Sequence, residues 1–512
     1  MRRALFFLLP ALIAGGPLCA SAADPVPSTA PAAAAPASPP GETPDAVTQA
    51  TVTIDGRPIA YTARAGTLAL RDQNNVETAR VFYTAYTVAG SDRPVTFVYN
   101  GGPGSSTMWL RMGSIGPVRV VAPNGTSAQA APYRIADNPS SLLDKTDLVF
   151  IDMPDSGFGR IVKGEEKHFF GVDQDAAAFG QFVQNYITRF DRWNSPKFLF
   201  GESYGTTRSA ALSDWLLNHG VFLNGVVLLS SILNFGLDYG NGDPIADGDW
   251  GYVLYLPTEA ATAWYHHRVA NAPADLPTYL HGVESFALGD YLAALAKGAA
   301  LPTAERDAVA RRLSQYLGLP LQYVKNANLR VSYDRFQREL LRGSGQVVGR
   351  LDGRFTTGDL DRAALEGPAW DPTDSAIDGA FTVAINKYLR ETLGYKPPIP
   401  YRANIYDIIY ANGSSWDFSH NRRYPTNVAP DLADAMTQNP NLKVFSANGY
   451  YDFATPYFAT EYTLKHLNLA PAQQSNITFG FYESGHMVYL NDASLLQFKA
   501  DLARWYDATL GR

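Results

Sequence analysis

The chain has 512 residues, of which 46% are hydrophobic and 18% are charged, so it has enough apolar side chains to bury a large core. Its 42 lysine and arginine residues are outnumbered by 49 aspartate and glutamate residues, which gives a net charge of −7. Because the chain is mildly acidic and has no basic stripe, its composition argues against nucleic acid as a partner.

The N-terminal sequence predicts a signal peptide over residues 1–22. Arg2 and Arg3 precede the apolar run Ala4–Ala14, and Ala20–Ala22 supplies the small residues of a cleavage site. The alternative is a membrane anchor, but the apolar run is too short to cross a bilayer, so no membrane span is expected after cleavage. We therefore expect an exported protein, located in the periplasm or outside the cell.

Cysteine usage supports this expectation. Cys19 is the only cysteine in the sequence and falls inside the predicted signal peptide, so the mature chain would contain no disulfide. Export without disulfides is typical of a bacterial periplasm or medium. The stretch that follows, residues 23–45, is rich in alanine and proline, cannot build a core and predicts a disordered tether.

Strand and helix patterns alternate after the tether. Asp55-Gly56 between two alternating runs indicates a hairpin, which Thr78–Val88 continues. Buried strands and one amphipathic helix then follow: strands Val95–Asn100 and Asp147–Pro154, helix Asp173–Phe190, and strands Lys197–Phe200 and Gly225–Ser231. We expect residues 46–235 to form the first part of a doubly wound, mostly parallel α/β sheet.

The pattern changes over residues 236–400, where helical periodicity predominates and predicts a lid insertion. Strands return at Leu442–Gly449 and Asn476–Gly485, and Ser494–Leu510 predicts a final helix. Residues 401–512 are therefore expected to complete the same α/β domain.

The string GESYG places Ser203 between two glycines, directly after a predicted strand. One interpretation is an ordinary strand-to-helix turn. The other is a nucleophile elbow, in which the glycines permit a sharp turn that holds the hydroxyl out at the edge of the sheet. A serine hydroxyl needs a base to remove its proton, and that base needs an orienting acid. In such a sheet the three are expected in the chain order Ser, Asp, His.

Asp452 and His486 fit that order, because they follow the last two predicted strands. A catalytic triad is therefore the interpretation that these positions favour. Three aspartates crowd a glycine-rich stretch, at Asp243, Asp247 and Asp249, but they lack the spacing of a calcium loop. We expect no metal and no cofactor.

A second glycine-rich string, NGGPGSS, spans residues 100–106 at the end of a predicted strand. One interpretation is a tight turn. The other is an oxyanion hole, because glycines leave backbone N–H groups open to a reacting oxygen.

Together these strings resemble one family, the serine carboxypeptidases of the α/β-hydrolase fold. The family's oxyanion, nucleophile, acid and histidine motifs are similar to NGGPGSS, GESYG, Gly449–Pro456 and SGHMV, in that order. The resemblance covers about residues 93–510, weakly in the predicted lid. It implies a serine peptidase that releases C-terminal residues from peptides through an acyl-enzyme, with peptides as its partners.

The resemblance also implies a role for each motif residue. It makes Ser203 the nucleophile, His486 the base and Asp452 the acid. The remaining implied groups all bind substrate: the oxyanion donors, which are the backbone N–H groups of Gly102 and Tyr204; the carboxylate-binding residues Asn100, Gly101 and Glu202; and Met487 in the leaving-group pocket.

Four positions depart from the family pattern. Ser105 replaces a cysteine, Val98 replaces a tryptophan and Tyr489 replaces a proline. Ser114 stands where the family has a second glutamate, which pairs with the one before the nucleophile. We expect the Ser114 hydroxyl to serve Glu202 in its place, with one negative charge fewer in the site.

This altered pocket leaves other functions open. An acyltransferase, an esterase or an aminopeptidase would use the same triad, and a non-catalytic binding protein is a more remote alternative. The sequence predicts neither the oligomeric state nor the side-chain preference.

Overall fold

The computed structural model describes residues 43–90, 92–237, 248–410 and 415–512. The predicted signal peptide, Cys19 and most of the predicted tether lie outside these ranges, as do Asp243 and Asp247. In the four ranges, no helix combines the length and the apolar character that crossing a membrane requires.

The strands of the described residues form one large mixed sheet and two small hairpins. In chain order they are β1 (Ala46–Ile54), β2 (Arg57–Arg71), β3 (Glu77–Thr87), β4 (Val95–Tyr99), β5 (Val118–Val120), β6 (Ile135–Asp137), β7 (Asp147–Ile151), β8 (Arg160–Ile161), β9 (Lys197–Ser203), β10 (Gly225–Ser231), β11 (Gln346–Val348), β12 (Thr356–Gly358), β13 (Lys443–Gly449) and β14 (Ile477–Tyr482). The large sheet has the order β1-β2-β3-β7-β4-β9-β10-β13-β14, with β8 beside β3.

The six strands from β7 to β14 in this order are parallel, whereas β1, β2 and β3 are antiparallel. The predicted hairpin at Asp55-Gly56 is present, and φ angles of 49° and 73° at these two residues match a type I′ turn. The predicted mostly parallel α/β sheet is therefore confirmed. Parallel strands place all their carboxyl ends at one edge, which is where ligands bind in such sheets.

Helices cover both faces of the sheet and fill most of residues 250–393. They are α1 (Met108–Gly113), α2 (Val172–Arg189), α3 (Tyr204–Asn218), α4 (Trp250–Tyr265), α5 (Leu276–Phe286), α6 (Leu292–Ala296), α7 (Thr303–Leu317), α8 (Leu321–Asn326), α9 (Tyr333–Glu339), α10 (Pro372–Lys387), α11 (Tyr406–Ile409), α12 (Ala429–Gln438), α13 (Tyr457–Lys465), α14 (Pro471–Gln474) and α15 (Asp492–Thr509).

Alternate residues of the central strands feed two different cores. In β4, Phe97 and Tyr99 join the core beneath α2, α3 and α12, whereas Val98 joins the core beneath α1, α10 and α15. A third apolar cluster, formed mainly by α4, α5 and α7, also includes Tyr451 and Phe453, which flank Asp452. That residues 236–400 act as a lid stays a prediction.

Candidate active site

Ser203 occupies a strained turn between β9 and α3. Its backbone has φ 62° and ψ −133°, a conformation that is costly for a residue with a side chain and that surrounding structure must enforce. A Cβ atom on Gly201 would lie 2.2 Å from the carbonyl oxygen of Gly205, so only glycine allows this close crossing. The turn leaves Ser203 half-buried at the carboxyl edge of the sheet.

His486 and Asp452 form a hydrogen-bonded pair at the same edge. His486 follows β14 and is 3% exposed, Asp452 follows β13 and is 0% exposed, and Nδ1 lies 2.8 Å from Oδ2. The Thr455 hydroxyl donates to the same carboxylate oxygen at 2.7 Å, while the N–H groups of Ala454 and Thr455 donate to Oδ1 at 2.8 and 3.0 Å. These donors fix the carboxylate, which in turn fixes the imidazole ring.

The surroundings favour the charged form of this histidine. Burial works to lower the pKa of His486, but the charge and hydrogen bond of Asp452, helped by the charge of Glu202, raise it above its usual value. Arg350 opposes this rise. Such stabilisation of an imidazolium is what a general base needs at the moment it holds a proton.

The loop between β14 and α15, which carries His486 and is called the histidine loop here, is hydrogen-bonded to β9 and to its neighbour β10. The Ser230 hydroxyl, in β10, donates to the carbonyl of His486 at 2.6 Å. The Tyr489 hydroxyl donates to the carboxylate of Glu202, the residue before Ser203, at 3.0 and 3.2 Å. Between Ser203 Oγ and His486 there is no hydrogen bond within the described ranges. In active sites, a serine–histidine hydrogen bond is often long or absent until substrate binds.

The glycine-rich loop, residues 100–106, lies directly against the turn at Ser203. A Cβ atom on Gly101 would lie 2.4 Å from the backbone nitrogen of Tyr204. Gly102 is exposed and has φ 112°, which glycine adopts without strain. Tyr204 is the first residue of α3, so its N–H belongs to the helix end that has no helical partner.

Buried charges that the sequence analysis missed anchor both ends of this loop. Arg208 donates to the backbone carbonyl of Asn100 at 2.8 Å and pairs with Asp175 at 2.7 Å. At the other end, the N–H of Thr107 donates to the carboxylate of Asp152 at 2.8 Å. Arg208 follows GESYG by three residues, which is the one local signal that could have identified it.

Glu202 is a buried carboxyl group, 1% exposed, with an unusual pKa. Burial raises the pKa of Glu202 to about 7, against the charge of His486 and the hydrogen bonds of Tyr489 and Asn100. The prediction that Ser114 serves Glu202 is wrong, because Ser114 Oγ is buried without a hydrogen-bond partner in the part of the chain that the structure describes. Tyr489 is the partner instead.

The glycine before Ser114 explains why Tyr489, and not Ser114, contacts Glu202. A Cβ atom on Gly113 would lie 2.6 Å from Cε2 of Tyr489, so the tyrosine ring occupies the space that a larger residue would fill. Ser114 ends α1, where its N–H donates to the carbonyl of Leu110 at 3.1 Å. Its short side chain does not reach Glu202.

The remaining predicted positions are less informative. Met487 is buried in the core beneath α1, α10 and α15, and its place in a leaving-group pocket stays a prediction. Asp249 pairs with Arg330 at 2.7 Å, so its carboxylate is already engaged. The described ranges contain no group of three or more histidine, cysteine, aspartate or glutamate side chains that could hold a metal ion.

Comparison with known proteins gives one family. The family described as "Serine carboxypeptidase" matches residues 58–235. Pheromone-processing carboxypeptidase KEX1 of Saccharomyces cerevisiae is 29% identical over 146 residues, which cover 26% of this chain and 18% of that protein. The protein of the same name from Cryptococcus gattii is 28% identical over 131 residues, covering 25% of this chain and 18% of that one. The aligned part thus spans less than a fifth of the length of these relatives.

The solved structure of the S. cerevisiae prohormone-processing carboxypeptidase Kex1 is similar over most of the chain. It has 16% sequence identity and a TM-score of 0.50, and the match covers 88% of this chain and 92% of that one. At this identity the similarity concerns the fold. The protein therefore has the α/β-hydrolase fold, as the sequence analysis expected.

Proposed function

We propose that the protein is an exported serine carboxypeptidase, with Ser203, His486 and Asp452 as its catalytic triad. The observation that carries the proposal is the strained backbone of Ser203, with φ 62°, at the sheet edge where a buried histidine–aspartate pair also lies. Strain of this kind persists only where the surrounding structure enforces it, and it is concentrated at active sites. The signal-like residues 1–22 support export.

In this mechanism, Ser203 Oγ attacks the carbonyl carbon of the last peptide bond. Because Nδ1 of His486 faces Asp452, Nε2 is the nitrogen that accepts the serine proton. The N–H groups of Gly102 and Tyr204 stabilise the negative oxygen of the tetrahedral intermediate. His486 then passes the proton to the departing amine as the carbon–nitrogen bond breaks, and a water molecule releases the acyl group by the same steps.

Recognition of the substrate's C-terminal carboxylate falls to Glu202, with Asn100 and Gly101 beside it. Two carboxylates share a site only when a proton lies between them. A pKa of about 7 allows Glu202 to supply that proton at neutral and acidic pH. We place Met487 beside the leaving residue.

An aminopeptidase is the second candidate, and the pairing of Glu202 with a phenol in place of a second carboxyl group favours it. When Glu202 is ionised, it presents a negative charge, and its hydrogen-bond donor Tyr489 is neutral, which suits a free amino group. The two candidates therefore differ in which end of a peptide must be free.

The test uses one short peptide in three forms: blocked at the N-terminus with a free acid, blocked at both ends, and free only at the N-terminus. A carboxypeptidase hydrolyses the first form far faster than the second. A fluorophosphonate should label the parent protein at Ser203, and Ser203→Ala should lose labelling and about 10³-fold or more of the activity. Cleavage that requires a free N-terminus would favour the aminopeptidase, and labelling at another serine would refute the triad.

A further inference from the structure

One short segment within the predicted lid, residues 350–354 between β11 and β12, contacts the acid loop of the proposed triad. The N–H of Gly353 donates to the carbonyl of the residue before Asp452 at 2.9 Å. The N–H of the residue after Asp452 donates to the carbonyl of Arg350 at 3.0 Å. The bridging segment, as we call residues 350–354, thus holds the backbone on both sides of the acid.

The same segment also holds the histidine loop. The N–H of His486 donates to the carbonyl of Leu351 at 2.7 Å, and the N–H of Gly485 donates to the carboxylate of Asp352 at 3.0 Å. A Cβ atom on Gly485 would lie 2.4 Å from the carbonyl oxygen of Leu351. The two backbones therefore touch, and a shift of the bridging segment would move the base.

A buried ion pair fixes the shape of the segment. Arg354 Nη2 lies 2.6 Å from Asp352 Oδ2, and the two side chains are 4% and 0% exposed. Arg354 also donates to Ser484 Oγ at 3.2 Å and to Asn124 Oδ1 at 2.8 Å. Burying two charges is costly unless their remaining hydrogen-bonding groups are satisfied. Here Ser484, which accepts a hydrogen bond from Arg354, belongs to the histidine loop itself.

We infer that Asp352, locked by Arg354, is a positioning residue that sets the distance between the base and the acid of the triad. This inference rests on the proposed function, because it takes His486 and Asp452 as the catalytic base and acid. The predicted lid then contributes to catalysis through the backbone of its bridging segment. Substrate selection alone would not require these contacts.

The test replaces both charges at once, since removing one would leave the other buried and unpaired. Asp352→Asn/Arg354→Gln removes both charges of the ion pair; asparagine matches aspartate in shape, whereas glutamine is shorter than arginine and also gives up the bonds to Ser484 and Asn124. We expect kcat and the rate of fluorophosphonate labelling to fall by about 10- to 100-fold with KM little changed, as for a small misplacement of a catalytic group. The acid limb of kcat/KM should also move to lower pH, because a looser contact with Asp452 stabilises the imidazolium less.

The charged groups that influence or approach His486 in this measurement are Asp452, Glu202, Arg350 and Asp374. Glu202 and Asp374 lie outside the bridging segment, whereas Arg350 belongs to it and works against Asp452 on the pKa of His486, so a downward shift reports the loosened bond to Asp452. Arg354→Lys, which keeps the charge, should retain more of the parental kcat than the double variant.

The matched control is a second aspartate that accepts both a backbone N–H and an arginine, at the opposite edge of the sheet. Asp147 begins β7, accepts from the N–H of Val88 at 3.0 Å and pairs with Arg192 at 2.8 Å and with the more exposed Arg93 at 2.9 Å. Asp147→Asn/Arg192→Gln should lower the melting temperature without changing kcat or the pH profile. Two results would overturn the inference and leave the proposed function standing. One is an equal loss of kcat in both double variants, and the other is parental kcat in Asp352→Asn/Arg354→Gln. A parent protein that is not labelled at Ser203 overturns the proposed function and this inference with it.

Discussion

Replacing Tyr489 with phenylalanine removes one hydroxyl and leaves the ring in place. That hydroxyl donates to both oxygens of Glu202, at 3.0 and 3.2 Å. A hydrogen bond is worth about 1.5–3 kcal/mol to an ionised group and about 0.5–1.5 kcal/mol to a neutral one, so the phenol favours the ionised carboxylate by about 1–1.5 kcal/mol. At about 1.4 kcal/mol per pKa unit, its loss should raise the pKa of Glu202 by about one unit.

The assay is the pH dependence of kcat/KM on a free-acid peptide, which reports the ionisation of the free enzyme. In the parent protein, activity should fall above the pKa of Glu202, about 7. In Tyr489→Phe this alkaline limb should move up by about one pH unit. The charges of His486 and Asp452 and the side chain of Asn100 stay in place in both proteins.

Tyr482→Phe is the control for this prediction. The Tyr482 hydroxyl also donates to a carboxylate, that of Asp501, at 3.0 Å. Its loss should leave the alkaline limb where it is. An unmoved limb in Tyr489→Phe, or the same shift with a peptide amide as substrate, would refute the proposal that protonated Glu202 binds the substrate carboxylate.

Three further predictions follow from the same contacts. Gly113→Ala should push the tyrosine ring away and cost about 1–3 kcal/mol of stability, measured by urea unfolding, because its Cβ would meet packed atoms. Although burial opposes it, hydrogen bonds to Asp173 and Asp431 raise the pKa of His420 to about 9. Since the charged form is the stabilised one, His420→Gln should lower the melting temperature at pH 6 and have little effect above about pH 9. Binding of a product peptide with a free C-terminal carboxylate can be measured by calorimetry in buffers of different ionisation enthalpy. At pH 8 the complex should take up about one proton, and at pH 5.5 almost none.

The central strands could be predicted because their pattern is local. Val95–Asn100 and Gly225–Ser231 are short apolar runs bounded by polar or glycine-rich stretches, and the structure has strands at Val95–Tyr99 and Gly225–Ser231. The sharp turn at Ser203 is equally local, because the glycines that permit it lie within two residues of Ser203. Such features need no knowledge of distant residues.

The support of the site could not be predicted, because it joins residues far apart in the chain. Tyr489 meets Glu202 across 287 positions, and the Asp352 carboxylate meets the Gly485 N–H across 133. No periodicity connects such pairs. The expectation for Ser114 failed for this reason: it followed alignment along the chain, whereas the space beside Glu202 is filled from the histidine loop.

Exchanging a carboxyl partner for a phenol changes how the site handles protons. A pair of carboxyl groups can hold one proton between them and pass it to whichever oxygen faces the substrate. A phenol cannot take part in this exchange, because burial and the neighbouring Glu202 charge raise the pKa of Tyr489 well above its usual range. The proton that joins Glu202 to a substrate carboxylate must therefore come from solvent whenever Glu202 is ionised. Under the proposed function, binding a peptide C-terminus and taking up a proton are then a single event. Affinity for free-acid peptides, unlike affinity for amides, should therefore weaken as pH rises above the pKa of Glu202.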